Sequence, residues 1–393
     1  MRILFLDQFD TLGGGQQCLA DLVSGLTERG WVAHVGLPGR GPLAERLESA
    51  GATVHLIPLT EYTNGRKSLR DVVRFAMDMP RVASAIRRLV KAHSIDLVYV
   101  NAPRLLPAAA LASNRVVFHS HNMLGQWYAA WPAVMALRWR RIPVIASSSF
   151  LARPYVERLA RGQVRVVYNG VPDCGGGVWR RADARPCVGI IGRVAPEKGH
   201  LDFLRMARAM VAAESGCHFL ICGDGQHSGD GFLKEVRRMA VGLPVEFVGW
   251  EPNIREVLGR VDLLVVPSSA VDATPRVIPE ALSAGVPVVA YRSGGMPELL
   301  SAGGCGVLVA AGDVDALAEA VMGVLGDAER LGRMRVNTRQ VYEKRFTPER
   351  YVREICGELE RMTGPAMARL SSRRRMRKAA ESASNPAATS TGR

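Results

Sequence analysis

Two cations stand close together in a glycine-bounded loop in the second half of the sequence. The loop reads GRVAPEKG and contains Arg193 and Lys198. It follows a short apolar run, so that Gly192 ends a predicted strand, where a glycine lets a ligand approach the backbone. The two cations could hold a diphosphate through charge-assisted hydrogen bonds. The alternative is a solvated charged turn that binds nothing.

A second polar segment follows the predicted strand Leu263-Val266 and reads DATPRVIPEAL from Asp272. Thr274 is predicted to cap a helix, and Pro275 to occupy its first position. The free N–H groups at such a helix start attract anionic oxygens. Glu280 lies less than two turns into the helix and could reach a ribose while the helix start holds phosphate. An ordinary capped helix packed on the sheet is the alternative.

Glycines and histidines in the first half of the sequence could also bind a phosphate or a substrate. Gly13, Gly14 and Gly15 follow the first predicted strand and could bring backbone amides to a phosphate or a sugar hydroxyl, although a plain tight turn explains them equally well. His119 and His121 end a later strand, where an imidazole can bind substrate or shuttle a proton. No carboxylate or cysteine cluster accompanies these histidines, and no metal site is predicted.

Length and composition indicate a globular chain with more than one core. The 393 residues exceed what one hydrophobic core usually organises, which predicts two domains. Apolar residues make up 48% and charged residues 22%, with a mean hydropathy near zero, and these values exclude a disordered or fibrous protein.

The formal charge of +14 is compatible with nucleic acid, an anionic membrane surface or phosphorylated substrates as partners. Part of it lies in the tail, where seven cations and one acid follow Thr363. The remaining excess is ordinary for an enzyme that handles diphosphates.

The seven cysteines are scattered and contain no C-x-x-C pair, so neither a disulfide framework nor a zinc site is predicted. The first apolar run is too short for a signal peptide, and no run is long enough to span a membrane. We expect a cytoplasmic protein.

Short β-branched runs alternate with helical patterns along the chain, which is typical of parallel βαβ units and predicts an α/β fold with two doubly wound, Rossmann-like parallel-sheet domains. Helical patterns fill the gaps, notably Ser68-Lys91. Ligands of such sheets bind at the carboxyl ends of the strands, so the cleft between the domains is the expected site. The predicted strands are Ile3-Leu6, Val32-Leu37, Thr53-Ile57, Leu97-Val100, Val116-His119, Val144-Ala146, Val164-Val167, Val188-Ile191, His218-Cys222, Val245-Val248, Leu263-Val266, Val288-Ala290 and Val307-Val309.

The predicted domain plan has five parts. A Gly- and Pro-rich linker over 170–186 separates a first domain, 1–169, from a second, 187–346. Thr347 and Pro348 then have the types expected at a helix start, for a helix over 347–362. The basic tail over 363–393 is expected to be disordered.

These pieces together resemble the retaining glycosyltransferases of family 4, which have the GT-B fold. The resemblance covers nearly all of residues 1 to 362. It is carried by GGG at 13–15, His121-Asn122, SSSF at 147–150, YNGV at 168–171, GRVAPEKG at 192–199, CGDG at 222–225, FVG at 247–249 and DATPRVIPEALSAGVPVVAYRSGGMPEL at 272–299.

The resemblance implies specific roles. Arg193 and Lys198 match the cations that neutralise the departing diphosphate, Glu280 matches the acid that binds the ribose, and His121 matches the histidine that contacts the transferred sugar. With Asp272, these are the predicted catalytic residues. The predicted nucleotide-sugar-binding residues are Gly14, Gly15, Gly192, Gly223, Gly249, Thr274, Pro275, Arg276, Val277 and Glu280.

The resemblance also implies the reaction. A sugar moves from a nucleotide-diphosphate donor to an acceptor hydroxyl with retention of configuration, without metal or cofactor, and the donor phosphate takes the acceptor's proton. The C-terminal helix would cross back to the first domain and help to govern closure. Polysaccharide or glycolipid synthesis in the cell envelope is the expected setting. Where the family has a first glutamate followed by Phe-Gly, this chain has Asp272 and later Thr274-Pro275. The identity of the transferred sugar therefore cannot be inferred from the family.

Two other functions are compatible with the sequence. A nucleotide-sugar epimerase of related fold would eliminate the diphosphate rather than transfer the sugar. A non-enzymatic protein that binds nucleic acid or a membrane is suggested by SRRRMRK in the tail, although no aromatic residues are interleaved with its cations and no specific nucleic-acid partner is expected.

A membrane-facing form of the enzyme is a further hypothesis. Trp127 and Trp131 begin an apolar segment that ends in Arg138, Arg140 and Arg141. Aromatic residues beside cations suit an interfacial surface, peripheral contact with an anionic inner membrane face and a lipid-linked acceptor. A core helix with a basic end is the alternative, and a sugar or a small molecule is an equally compatible acceptor.

Overall fold

A computed structural model describes residues 1–60, 69–123, 127–175, 185–225, 230–268, 272–301 and 303–364. Most of the predicted linker and nearly all of the predicted tail lie outside these ranges. Within them, no helix is both long and apolar enough to cross a membrane.

The first sheet contains seven strands in the described residues, and all are parallel. Their order is β3-β2-β1-β4-β5-β6-β7, so the direction of winding reverses between β1 and β4. Alternate residues of the central strands enter two cores, one on each face of the sheet. The strands are β1 (Arg2–Leu6), β2 (Val32–Leu37), β3 (Thr53–Leu56), β4 (Leu97–Val100), β5 (Val116–Ser120), β6 (Val144–Ala146) and β7 (Val164–Val166).

Helices cover both faces of this sheet because each presents an apolar stripe. The first two helices pack in one core, and the next three pack in the other. The helices are α1 (Gly14–Glu28), α2 (Pro42–Ser49), α3 (Leu69–Ala92), α4 (Leu106–Ala112), α5 (Trp127–Trp139) and α6 (Ser149–Val156), with a 3-10 turn at Pro103–Leu105.

The second sheet repeats the plan with six described strands in the order β10-β9-β8-β11-β12-β13, and its winding reverses between β8 and β11. The strands are β8 (Cys187–Ile191), β9 (His218–Cys222), β10 (Val245–Gly249), β11 (Leu263–Val266), β12 (Val288–Tyr291) and β13 (Gly306–Val309). The helices are α7 (His200–Ala212), α8 (Asp230–Met239), α9 (Ile254–Leu258), α10 (Val277–Ser283), α11 (Met296–Leu300), α12 (Val314–Leu325) and α13 (Ala328–Arg345), with a 3-10 turn at Pro196–Lys198.

The last helix, α14, covers 348–364 and packs on the first domain rather than the second. The Thr347 hydroxyl caps it by accepting from the Arg350 N–H at 3.3 Å, which confirms the predicted start. Tyr351, Ile355 and Leu359 are fully buried with the apolar stripe of α1. The chain therefore ends its described part by returning to its first core.

All thirteen predicted strands are present, and their ends differ from the predictions by at most one residue. The two parallel sheets confirm the predicted fold class. The agreement has a physical cause, since a strand buried on both faces is a continuous apolar run that the sequence displays directly.

Candidate active site

The cleft between the two sheets is a cavity of about 1460 Å³ at the carboxyl ends of the strands. It opens where the winding of each sheet reverses, at the ends of β1 and β4 on one side and of β8 and β11 on the other. The predicted site residues that line it are Gly14, Gly15, His121, Gly192, Arg193, Lys198, Gly223, Asp272, Thr274, Pro275, Arg276, Val277 and Glu280.

The second-domain wall of the cleft, formed by Arg193, Lys198 and Asp272, is charged and partly open to solvent. Lys198 Nζ lies 2.5 Å from Asp272 Oδ2, and Arg193 pairs with Glu197 at 2.6 Å. Arg193 lies in the loop directly after β8, and the 3-10 turn at Pro196–Lys198 that follows presents Lys198. Opposite charges in contact inside a cleft can be separated by a ligand that supplies its own anionic oxygens.

Two glycines let the backbone close in beside these cations. Gly223 has φ +145°, and a Cβ built on it would lie 1.9 Å from the Gly192 carbonyl oxygen. No side chain fits there, so Gly223 holds the ends of β8 and β9 together. Gly249 is not part of the lining; its carbonyl oxygen accepts from the Gly223 N–H at 2.7 Å and supports the loop from behind.

The predicted start of α10 is wrong. The helix begins at Val277 rather than at Pro275, and Thr274 does not cap it. The Thr274 hydroxyl instead lies 3.0 Å from Ser147 Oγ on the first domain. Tertiary contacts override the helix propensity of these residues. The chain before α10 is held by the Asp272 carbonyl oxygen, which accepts from the Gly295 N–H at 3.1 Å.

Arg276 connects the two domains. Its guanidinium donates to Glu280 at 2.7 Å and, across the cleft, to Asp21 of α1 at 2.8 Å. Cys18 of α1 accepts from the same group at 3.3 Å. Burial raises the pKa of Glu280, and the positive charge of Arg276 opposes that rise. Asp21 has no place in any motif, so sequence reasoning missed it.

The first-domain wall is formed by Gly15 and His121, which line the cleft, and by Asp7 and Asn101 behind them. Parallel pairing of Leu6 with Val100 sets Asp7 beside Asn101, whose side-chain amide donates to the Asp7 carboxylate at 2.6 Å. Burial raises the pKa of Asp7, and the donors around it act in the opposite direction. These contacts fix the loop that leads into α1.

His121 faces the cleft from the end of β5. Burial lowers its pKa to about 4, so the ring is neutral near pH 7. Its Nδ1 lies 3.5 Å from the side-chain amide nitrogen of Asn169, while its Nε2 is buried without a partner among the described residues. The neighbouring His119 is fully buried and lies 2.5 Å from the Tyr99 hydroxyl. Of the two histidines, His121 is therefore the one able to meet a substrate.

A further contact between the domains involves Glu298 of α11. Its carboxylate accepts from the backbone N–H groups of Ser149 and Phe150 at 2.9 and 3.0 Å, and from the Tyr168 hydroxyl at 3.1 Å. The carboxylate thus caps the start of α6 from the other domain. The SSSF segment has an ordinary capping sequence, and nothing in it points to a partner 149 residues away.

Comparison with known proteins identifies the architecture. A family model described as Glycosyltransferase Family 4 matches residues 12–173, and one described as Glycosyl transferases group 1 matches residues 185–327. Together they span more than three quarters of the chain. The chain belongs to the family 4 glycosyltransferases.

Relatives of this glycosyltransferase act on different substrates. It is 29% identical over 369 residues to a 2-deoxystreptamine N-acetyl-D-glucosaminyltransferase of Streptomyces fradiae, covering 82% of this chain and 85% of that one. It is 28% identical to a GDP-mannose-dependent phosphatidylinositol monomannoside mannosyltransferase of Mycolicibacterium smegmatis, covering 76% of this chain and 89% of that one.

Solved structures of glycosyltransferases share the architecture of this enzyme. HepE of Anabaena, crystallised with UDP and glucose, is 25% identical with a TM-score of 0.73, covering 91% of this chain and 99% of that one. WaaG, a glycosyltransferase involved in lipopolysaccharide biosynthesis, is 14% identical with a TM-score of 0.66, covering 90% and 98% of the two chains. The likeness confirms the GT-B fold.

In this glycosyltransferase the predicted catalytic residues Arg193, Lys198, Asp272 and Glu280 lie in the second domain, and His121 faces them from the first domain. Sequence reasoning missed the supporting residues Asp7 and Asn101. The signal that could have found them is that each immediately follows a buried strand at the switch point of the first sheet.

Proposed function

We propose that this glycosyltransferase transfers a sugar from a nucleotide-diphosphate donor to an acceptor hydroxyl, with retention of configuration and without a metal ion. The observation that carries the proposal is the pair of cations Arg193 and Lys198 at the end of β8, in a cleft whose opposite wall holds the neutral imidazole of His121. Transfer requires charge stabilisation on the leaving-group side and hydrogen bonding on the sugar side.

Charge develops on the leaving group during the reaction. As the bond between the anomeric carbon and the phosphate oxygen breaks, the nucleoside diphosphate gains negative charge, and Lys198 and Arg193 stabilise it electrostatically. The acceptor oxygen forms its bond to the anomeric carbon on the face that the leaving group departs. The acceptor's proton passes to the departing phosphate oxygen. Binding of the diphosphate shifts Lys198 from Asp272 to phosphate.

The remaining residues orient the donor. The His121 Nε2, which lacks a partner among the described residues, hydrogen-bonds a hydroxyl of the transferred sugar. Asp272, released from Lys198, accepts from another sugar hydroxyl, and Glu280 binds the ribose. The backbone around Gly223 and Trp250 receives the nucleobase, since both residues line the cleft and the Gly223 N–H donates to Gly249, the neighbour of Trp250.

We further propose that the enzyme works at an anionic membrane surface on a cell-envelope polysaccharide or glycolipid acceptor. Trp131, Met135 and Trp139 of α5 lie four residues apart and are 64%, 44% and 58% exposed, which aligns them on one face. Arg138 and Arg140 are exposed beside them, and the Arg140 guanidinium lies 4.1 Å from the Trp139 ring centre. Trp127 begins α5, but its side chain lies outside the described part.

This surface borders the cleft, because Pro132 and Ala133 of the same helix line it. An acceptor whose lipid stays in the membrane could thus present its hydroxyl to the first-domain wall. Exposed tryptophans beside arginines suit the interface between headgroups and acyl chains.

Donor binding and product configuration test the proposed transfer. The enzyme is incubated with UDP-, GDP-, ADP- and dTDP-sugars in EDTA, and binding and donor hydrolysis are measured for wild type and Glu280→Gln. We expect one nucleotide to bind in EDTA, the variant to bind it at least tenfold more weakly, and NMR during hydrolysis to show the α-anomer of the sugar as the first product released to water from an α-linked donor. Absence of binding to every donor, or a product of inverted configuration, would refute the proposal.

Vesicle sedimentation tests the membrane surface. Wild type should co-sediment with vesicles containing anionic lipid and not with purely zwitterionic vesicles, whereas Trp131→Ser/Trp139→Ser should lose most of the bound fraction. Val241→Ser, which changes an exposed apolar residue of the second domain, is the matched control and should bind like wild type. Equal sedimentation of all three proteins would contradict this role of α5.

A further inference from the structure

Three of the eight histidines in the chain meet at one place far from the cleft. His34 lies on β2, His55 lies on β3, and His93 follows the end of α3. Each offers one ligand nitrogen, and these nitrogens lie within 4.8 Å of one another. His34 Nδ1 is 3.0 Å from His55 Nε2, and the His93 ring centre lies 4.5 and 4.8 Å from the other two.

Sheet register explains how distant positions converge. His34 pairs laterally with Leu4, whose side chain enters the core beneath α3, so the imidazole of His34 points to the same face. His55 pairs with Gly36, two positions from His34, and therefore shares that face. The C-terminal end of α3 then places His93 over both. The spacing of these histidines in the sequence does not predict that they form a group.

The cluster is separate from the transfer chemistry. Phe75 of α3 lines the cleft, whereas His93 stands 18 positions later, about 27 Å along the axis at 1.5 Å per residue. None of the three histidines lines the cleft. Any ligand held here would act on the architecture of the first domain rather than on the reacting sugar.

The three rings pack against one another at the edge of the first sheet. Their ring centres are 4.5 to 5.2 Å apart. The Arg2 guanidinium donates to the His93 carbonyl oxygen at 3.0 Å and so ties the position after α3 to the first strand. Imidazole nitrogens are ligands that suit first-row transition metals.

We propose that His34, His55 and His93 form a site for a divalent transition-metal ion of the Zn²⁺ class. Three imidazole nitrogens suit Zn²⁺, whose bonds of about 2.0–2.1 Å place tetrahedral ligands about 3.3 Å apart. His55 and His93 are partly exposed, so small rotations of their rings can bring the nitrogens to that separation. The open side leaves room for water as the fourth ligand. The ion would cross-link the edge strand β3 to β2 and to the end of α3.

Metal titration of the whole enzyme tests the site. Protein without an affinity tag is stripped with EDTA, dialysed and titrated with Zn²⁺ by calorimetry and with Co²⁺ by visible absorption. We expect one ion per chain and a tetrahedral Co²⁺ spectrum. His55→Gln and His93→Gln should each weaken binding at least tenfold, while His218→Gln, on β9 of the other domain, should bind like wild type. Binding that is absent, or unchanged in both cluster variants, would overturn the proposal.

A wild-type measurement covers the case in which the variants fold poorly. In enzyme labelled with ¹⁵N at histidine, Zn²⁺ should shift the imidazole signals of three of the eight histidines and raise the Tm. Donor turnover in EDTA should be unaffected, which separates this site from the proposed transfer mechanism. Unshifted histidine signals at a stoichiometric amount of Zn²⁺ would refute the site whatever the variants do.

Discussion

The two walls of the cleft differ in how their polar groups are satisfied. On the first-domain wall, Asp7 is fully buried and its carboxylate is surrounded by donors, and His121 is buried and neutral. On the second-domain wall, Arg193 and Lys198 keep 45% and 29% of their side-chain surface exposed and make ion pairs that a ligand can displace. The polar groups of the first wall therefore contribute to the stability of the folded state, whereas the charged groups of the second wall remain available to a ligand.

The contrast follows from the part of the donor that each wall would contact. A sugar is uncharged, and preset hydrogen-bonding groups orient it without a large change in charge. A departing diphosphate is strongly anionic, and cations whose ion pairs with the protein can exchange for phosphate are able to stabilise it. Changes on the second-domain wall should therefore alter catalysis, and changes to the buried groups Asp7 and Asn101 of the first-domain wall should mainly alter stability.

The largest expected effect is on the second-domain wall. Lys198→Met should lower kcat by about 10² to 10³, because one preorganised charge is lost at the leaving group. Steady-state kinetics with the preferred donor measures the loss. Lys234→Met, an exposed lysine of α8, is the matched control and should retain wild-type turnover. A decrease below fivefold would show that Lys198 does not act on the leaving group.

The next effect is a pH dependence from the first-domain wall. His121 has a pKa of about 4 in the folded protein and about 6.5 when unfolded, so the unfolded chain binds more protons between these values. Its contribution to stability is complete above pH 6.5 and should be lost as pH falls towards 4, by up to about 3 kcal/mol. Urea unfolding of wild type and His121→Gln from pH 7 to 4.5 measures this. The variant should lose less stability over the range, and identical slopes would contradict the assignment.

A smaller effect is expected for the base of the same wall. Asn101→Ala removes a donor from the buried Asp7 carboxylate and should lower the free energy of unfolding by about 1.5–3 kcal/mol. Turnover of the folded variant should change by less than tenfold, because Asn101 acts by positioning the loop. Asn114→Ala, at an exposed loop position, is the control for chemical denaturation. A variant that keeps its free energy of unfolding but loses turnover would show that Asn101 acts on catalysis rather than on stability.

The smallest effect is expected for the exposed partner of Arg193. Glu197→Gln breaks the exposed ion pair with Arg193 and should change the free energy of unfolding by less than about 1 kcal/mol. The freed Arg193 should bind the donor at least as well as before, so KM for the donor should not rise. Urea unfolding and donor kinetics measure the two quantities. A loss above 2 kcal/mol would mean that this pair is structural.

Sequence patterns predicted most of the architecture of this molecule. All thirteen strands and the capped start of α14 were predicted from apolar runs and from Thr347-Pro348, because burial on both faces and helix capping are properties of neighbouring residues. The charged loop with Arg193 and Lys198 was found for the same reason, since its glycines and cations are adjacent in the chain.

The partners of individual side chains became visible only in the tertiary structure. Thr274 has the type and spacing of a helix cap, yet its hydroxyl contacts Ser147 of the other domain. Asp21 pairs with Arg276 across 255 residues, and His34 meets His93 across the end of a helix. Contacts of this kind depend on strand register and on how two domains face each other. A sequence states which residues favour a strand or a cap, but the partner of a side chain is fixed only when the elements pack.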